Sequence, residues 1–132
     1  TNPEPFKMTD VNVVIHVDTG PEVVTGSTRM KAGTATKMVL NMISTATMIK
    51  LGKVYGNLMV DLMAVNEKLV DRGTRIISQL TELDYDAAKE KLFEAEKSVK
   101  TAIVMEKLNC SLEDAKSALE KENGFLRNVI ES

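Results

Sequence analysis

Glu22, Ser27, Thr28, Arg29 and Lys31 bring a carboxylate, two hydroxyls and two cations together in the stretch "GPEVVTGSTRMKAGTATK", residues 20–37. Glu22 is the only acid there, and Gly26 and Gly33 permit tight turning and close approach of a ligand to the backbone. If Ser27 or Thr28 caps the helix that follows, several amide N–H groups at its start remain free to face a ligand. Those donors, the positive end of the helix dipole, the hydroxyls of Thr25, Ser27 and Thr28, and the charges of Arg29 and Lys31 would suit an anion and the hydroxyls of a sugar. Glu22 could accept hydrogen bonds from hydroxyls or handle a proton. The same residues also fit a plain capped helix start with incidental basic side chains. A P-loop is excluded, because six residues separate Gly26 from Gly33 and Ala32-Gly33-Thr34 lacks the Gly-Lys-Ser/Thr ending.

The surrounding charge agrees with a small anionic ligand. From Val23 to Val60 there is no Asp or Glu, while Arg29, Lys31, Lys37, Lys50 and Lys53 fall inside. From Thr81 onward acids outnumber bases, which argues against the broad basic face of a nucleic-acid-binding protein. Cys110 is the single cysteine, so neither an internal disulfide framework nor a cysteine-rich zinc site is possible, and a reducing compartment is expected. No apolar run is long enough to span a bilayer, since Asn41, Ser44, Thr45, Thr47 and Lys50 interrupt Met38 to Leu51.

The elements that would position these residues can be read from periodicity. "VNVVIHV", residues 11–17, is β-branched and bounded by Asp10 and Asp18, and is predicted to be one strand. A lone strand needs partners from another copy or from residues outside this sequence. "TNPEPFKMTD" has no initiator methionine, and we expect a piece of a longer chain. Met38, Val39, Met42, Ile43, Ala46 and Ile49 predict a helix ending near Leu51-Gly52. Leu58, Leu62, Val65, Leu69, Gly73, Ile76 and Leu80 predict a second long helix with a heptad-like seam, widened by Met59, Met63, Val70 and Ile77. That stripe fits either an internal core or a subunit interface.

From Thr81 the chain becomes more charged, with shorter helices expected at 84–95, 97–108, 111–122 and 124–131. Ser111-Leu112-Glu113-Asp114 resembles a capping box and Asn123-Gly124 a stop. Ala87, Ala88, Leu92, Val99, Ala102, Ile103, Leu108, Leu112, Ala115, Leu119, Leu126 and Val129 would form a compact satellite core.

The stretch "GPEVVTGSTRMKAGTATK" resembles the signature of the N-acetylmuramic acid 6-phosphate etherases and the related glucokinase regulatory proteins. The likeness continues through "LNMISTATMIKLGKVYGNLMVDLMAVNEKL" and more loosely to the C-terminus. "KVYGNLMVDLMAVNEKLVDR" with a short helical tail is more similar to the bacterial etherases than to the regulatory branch. The resemblance implies a mostly α chain. Residues 1–80 would be the C-terminal part of a sugar-isomerase-type parallel α/β sandwich, one strand and two long helices, and residues 81–132 a small ubiquitin-associated-like bundle. It further implies cleavage of the D-lactyl ether of N-acetylmuramic acid 6-phosphate to N-acetylglucosamine 6-phosphate and D-lactate, in bacterial amino sugar and peptidoglycan recycling.

In that mechanism a carboxylate base removes the proton next to the carbonyl of the open sugar, lactate leaves and water adds, with no metal or redox cofactor. The implied setting is cytoplasmic, with a phosphosugar as ligand, a homodimer formed through the long helices, and no nucleic-acid or membrane partner. By the same resemblance, Glu22, Ser27, Thr28, Arg29 and Lys31 would line or close the sugar-phosphate pocket. The family's serine- and threonine-rich phosphate loop and catalytic glutamates have no counterpart here, so no catalytic residue is assigned and the chain alone is expected to be inactive. His16 is expected to be structural. The competing expectation is a phosphosugar-sensing regulatory module of the glucokinase regulatory protein type.

Overall fold

In the computed structural model, which describes residues 12–131, the chain is mostly helical. Helix α1 covers Lys31–Lys50, β1 Val54–Tyr55 and β2 Leu58–Met59. They are followed by α2 (Glu67–Leu80), α3 (Tyr85–Glu94), α4 (Val99–Leu108), α5 (Leu112–Lys121) and α6 (Leu126–Ile130). The chain forms two compact units that divide after Ala46, inside α1.

In the first unit the expected strand does not form. Val11 lies outside the described residues, and Asn12–Val17 is irregular and almost wholly exposed. A strand is held by the neighbour that pairs its N–H and C=O groups, and β-branched composition cannot replace that neighbour. The predicted helix is present and starts earlier than its apolar periodicity, at Lys31. None of its twenty residues is buried. Met38, Leu40, Met42, Ile43, Met48 and Ile49 are exposed around much of its circumference, a pattern typical of a helix enclosed by other protein.

The second unit holds the core. α1 ends in a Schellman motif, with Lys53 N–H donating to Met48 O (3.1 Å) and Gly52 N–H to Ile49 O (3.0 Å). Gly52 takes φ 68°, and a Cβ there would stand 3.0 Å from the Phe125 ring, so conformation and space both favour glycine. The second long helix begins only at Glu67; residues 58–66, expected to be helical, are not. Val54 pairs with Met59 and Tyr55 with Leu58 in an antiparallel hairpin across Gly56-Asn57. Beyond it the chain stays extended, with Ala64 N–H donating to Lys97 O (2.9 Å) and Val99 N–H to Leu62 O (3.2 Å). Val60 and Ala64 point into the core while Met63 and Val65 are exposed, the period-two alternation of a strand. Asn66 then starts α2, its Oδ1 accepting from Leu69 N–H at 2.9 Å.

The four later helices match their expected positions to within two residues at most boundaries, and each of the first three has a side-chain cap. Asp84, Ser98 and Ser111 accept from the amides of Ala87, Thr101 and Asp114. Asn123 (φ 52°) and Gly124 (φ 78°) stop α5, as expected. Of the expected satellite core, Ala88, Leu92, Val99, Ala102, Ile103, Ala115, Leu119, Leu126 and Val129 are buried. Leu108 is exposed, and Leu112 is half-buried against the cluster. That cluster is no satellite: Val60, Ala64, Ile76, Ile77, Ala95, Val104 and Met105 join it. α2 packs against α3 and α4, so the bundle includes residues ahead of the composition change at Thr81.

Lys100 lies within this unit and is 7% exposed. Its Nζ donates to Gly124 O (2.6 Å) and Gly52 O (3.2 Å) and pairs with Asp61 Oδ1 (3.2 Å). One ammonium thus joins the turn after α1, the strand-like segment and the turn before α6.

Candidate functional site

The loop before α1 is closed by a carboxylate. Glu22 Oε2 accepts from Lys31 N–H and Oε1 from Ala32 N–H, each at 3.0 Å. Gly33 N–H donates to Thr28 O (2.8 Å), and Thr34 N–H makes a longer bond to Met30 O (3.4 Å). Lys31, Ala32 and Gly33 carry donors at the helix start that an α-helix cannot satisfy internally, while the Thr34 bond is the first of the helix's own i→i−4 ladder. The expected side-chain cap from Ser27 or Thr28 is therefore replaced by Glu22, and Thr28 contributes its carbonyl instead. The amides expected to be free for a ligand already have acceptors.

Three further bonds shape the loop. Gly20 N–H donates to Asp18 Oδ1 (2.9 Å), Ser27 N–H to Val24 O (3.0 Å), and Lys31 Nζ to Pro21 O (2.7 Å). Hydrogen bonds from the Ala32 and Lys31 amides hold the Glu22 pKa below its ordinary value of 4.5; burial opposes them and the Lys31 charge assists. Glu22 thus stays ionised, matching the positive end of the helix dipole.

The structure places the five expected site residues on one loop without gathering their side chains around one point. Thr28, Arg29 and Lys31 are exposed, while Glu22 and Ser27 are half-buried. An open cleft of about 540 Å³ runs along this end of α1, lined by Thr28, Ala32, Gly33, Thr36, Lys37, Leu40 and Asn41. Of the five, only Thr28 lines it. Lys37 and Asn41 were not singled out in the sequence, although their four-residue spacing on the helix places them beside Thr28's end of the cleft. The arrangement offers the hydroxyls of Thr28 and Thr36, the latter donating to Ala32 O, with an amide and an ammonium in a shallow groove, and the Arg29 guanidinium outside its lining. His16, expected to be a structural residue of a strand, stands exposed on the irregular segment.

The second unit has a cleft of its own, about 420 Å³, between the hairpin and α2, with Asn57, Lys68, Asp71, Arg72, Arg75 and Gln79 among its lining residues. Arg75 Nε binds Asp71 at 3.0 Å, and Tyr85 OH donates to the same carboxylate at 2.9 Å. Among the described residues, Lys68 and Arg72 enter no ion pair. The helical reading of residues 58–66 hid this cleft, because a continuous helix would have had no hairpin against which to form it.

No family model matches the chain. Sequence comparison relates it to proteins called N-acetylmuramic acid 6-phosphate etherase. It is 58% identical over 117 residues to that of Oceanobacillus iheyensis, across 89% of this chain and 40% of the relative. The corresponding figures are 56% over 121 residues for Geobacillus sp., covering 91% and 41%, and 48% over 129 residues for Pasteurella multocida, covering 98% and 43%. The chain therefore spans about two-fifths of the length of the curated relatives it matches.

Proposed function

We propose, from this kinship with the N-acetylmuramic acid 6-phosphate etherases, that the chain supplies one wall of a phosphosugar site in a carbon–oxygen lyase. The reaction is removal of D-lactate from N-acetylmuramic acid 6-phosphate, leaving N-acetylglucosamine 6-phosphate. The observation that carries this reading is the identity to relatives of that name over nearly the whole chain, including an alignment across 98% of its residues. The relatives compared are all called etherases, which supports that reading ahead of the regulatory alternative.

On this reading, Ser27, Thr28, Arg29 and Lys31 line the pocket and Glu22 closes the loop that carries them. A base supplied by other residues takes the proton beside the carbonyl of the open sugar. The lactate oxygen leaves the neighbouring carbon with its bonding electrons, and water adds in its place. Residues 1–80 belong to a sugar-isomerase-type domain whose last helix, α2, packs into the core of the ubiquitin-associated-like bundle of residues 81–132. Two copies meet through the long helices, and the protein works in the cytoplasm without metal or redox cofactor.

The test is amide-resolved titration of the 132-residue chain with N-acetylglucosamine 6-phosphate. Saturable shifts are expected within residues 20–37, reduced at least tenfold in affinity by combined Arg29→Ala and Lys31→Ala substitution. Unmoved amides throughout that stretch would remove the loop from the site. N-acetylmuramic acid 6-phosphate incubated with the same polypeptide should yield no D-lactate, and release of lactate would show that the chain holds its own base.

A further inference from the structure

The start of α1 already contains an anion. A carboxylate bonded to two consecutive helix-terminal amides occupies the position that a phosphate would take at an open helix end. Glu22 has three advantages over such a guest. It is tethered, so its local concentration exceeds that of a dissolved anion. It already complements the helix dipole, so a second anion would meet like charge. The backbone also takes the next two amides, through Thr28 O and Met30 O.

The same two bonds fix the loop. They join residue 22 to residues 31 and 32, while the Lys31 ammonium bonds to Pro21 O on the other side of the closure. The segment between holds Thr25, Ser27, Thr28 and Arg29, with a turn where Ser27 N–H meets Val24 O. Removing the carboxylate would open the loop at its neck and release two donors together.

We propose that Glu22 is the positioning residue of this loop: its carboxylate latches residues 22–32 closed and keeps anions off the start of α1. A phosphorylated ligand is then met by the side chains of Ser27, Thr28 and Arg29, with the helix amides taking no part. The latch deepens the function proposed above, resting on it only for the identity of the ligand.

The experiment uses inorganic phosphate and acid as probes of the isotope-labelled 132-residue chain, compared with Glu22→Gln, Glu22→Ala and Glu22→Asp. In the unsubstituted chain the Lys31 and Ala32 amides should move together as acid protonates Glu22, with a midpoint below 4.5. Phosphate should leave both amides in place. Glu22→Gln and Glu22→Ala should abolish the acid transition, and in Glu22→Ala phosphate should shift the two amides at least tenfold more. Glu22→Asp, which keeps the charge, should restore the exclusion of phosphate, a rescue not expected if the side chain served only to fill space.

Loss of resonance dispersion confined to residues 23–30 in Glu22→Ala or Glu22→Gln would support the latch directly. The proposal is overturned if phosphate moves Lys31 and Ala32 in the unsubstituted chain as strongly as in Glu22→Ala, or if the two amides show no common acid transition. Neither readout involves a sugar, so the latch can fail while the sugar titration succeeds, and the reverse.

Discussion

Glu96 and Lys97 follow one another at φ 53° and 66°, where side-chain residues pay a steric cost that glycine avoids. Their conformation is fixed by neighbours: Lys97 N–H donates to Leu92 O (2.8 Å), and Lys97 O accepts from Ala64 N–H (2.9 Å). Lys97→Gly keeps both backbone bonds and relieves the strain, so it should stabilise the chain by about 0.5–1 kcal/mol after the entropy cost of glycine. The check is a raised urea midpoint at unchanged slope. Asp61 supports a second prediction. Burial pulls its pKa up, but hydrogen bonds and charge from Lys53 and Lys100 outweigh that, leaving it below 3.8. A group depressed in the folded state contributes fully above its unfolded pKa and loses that contribution as pH falls through the folded value. Acid should therefore weaken the second unit, and Asp61→Asn should flatten the acid limb of its urea midpoint against pH.

At the scale of elements, α2 approaches α4 closely at Gly73. A Cβ on Gly73 would stand 2.8 Å from Val99 Cγ2 and 3.4 Å from Leu92 Cδ2, and the β-branched Val99 cannot easily turn away. Gly73→Ala gains helix propensity of up to about 1 kcal/mol but should lose more to overpacking, a net destabilisation of about 1–2 kcal/mol. Val99→Ala in that background should recover part of the loss, and strict additivity in the double-mutant cycle would show that this contact is not its source. The bundle helices were legible because Asp84, Ser98 and Ser111 cap locally and Asn123-Gly124 stops locally, all within a few residues of the ends they define. Residues 58–66 were misread because Leu58, Leu62, Val65 and Leu69 mimic a heptad, while the alternation of Val60 and Ala64 with Met63 and Val65 is short. The positive loop was visible at once, but its cap was not. Glu22 lies nine residues before the first amide it binds, beyond the reach of a local capping pattern.

For the whole molecule, the decisive asymmetry is where the core lies. All the buried hydrophobic residues named in the second unit's cluster follow Leu51, whereas α1 has none. A twenty-residue helix with no buried residue, and only Ala32, Ala35 and Val39 half-buried along one side, gains little stability from packing in water. In dilute solution, amides of residues 35–46 should exchange with solvent far faster than those of Ala102 to Met105 in α4, all of which are buried. The homodimer proposed through the long helices adds a concentration dependence, because a second copy that covers α1 stabilises it by mass action. Raising the chain from the micromolar to the millimolar range should then slow exchange in α1 selectively, together with a rise in mass to that of two copies. Selective protection would place the pairing surface on α1, uniform slowing along the chain would place it elsewhere, and exchange rates independent of concentration would remove the homodimer from the proposed function.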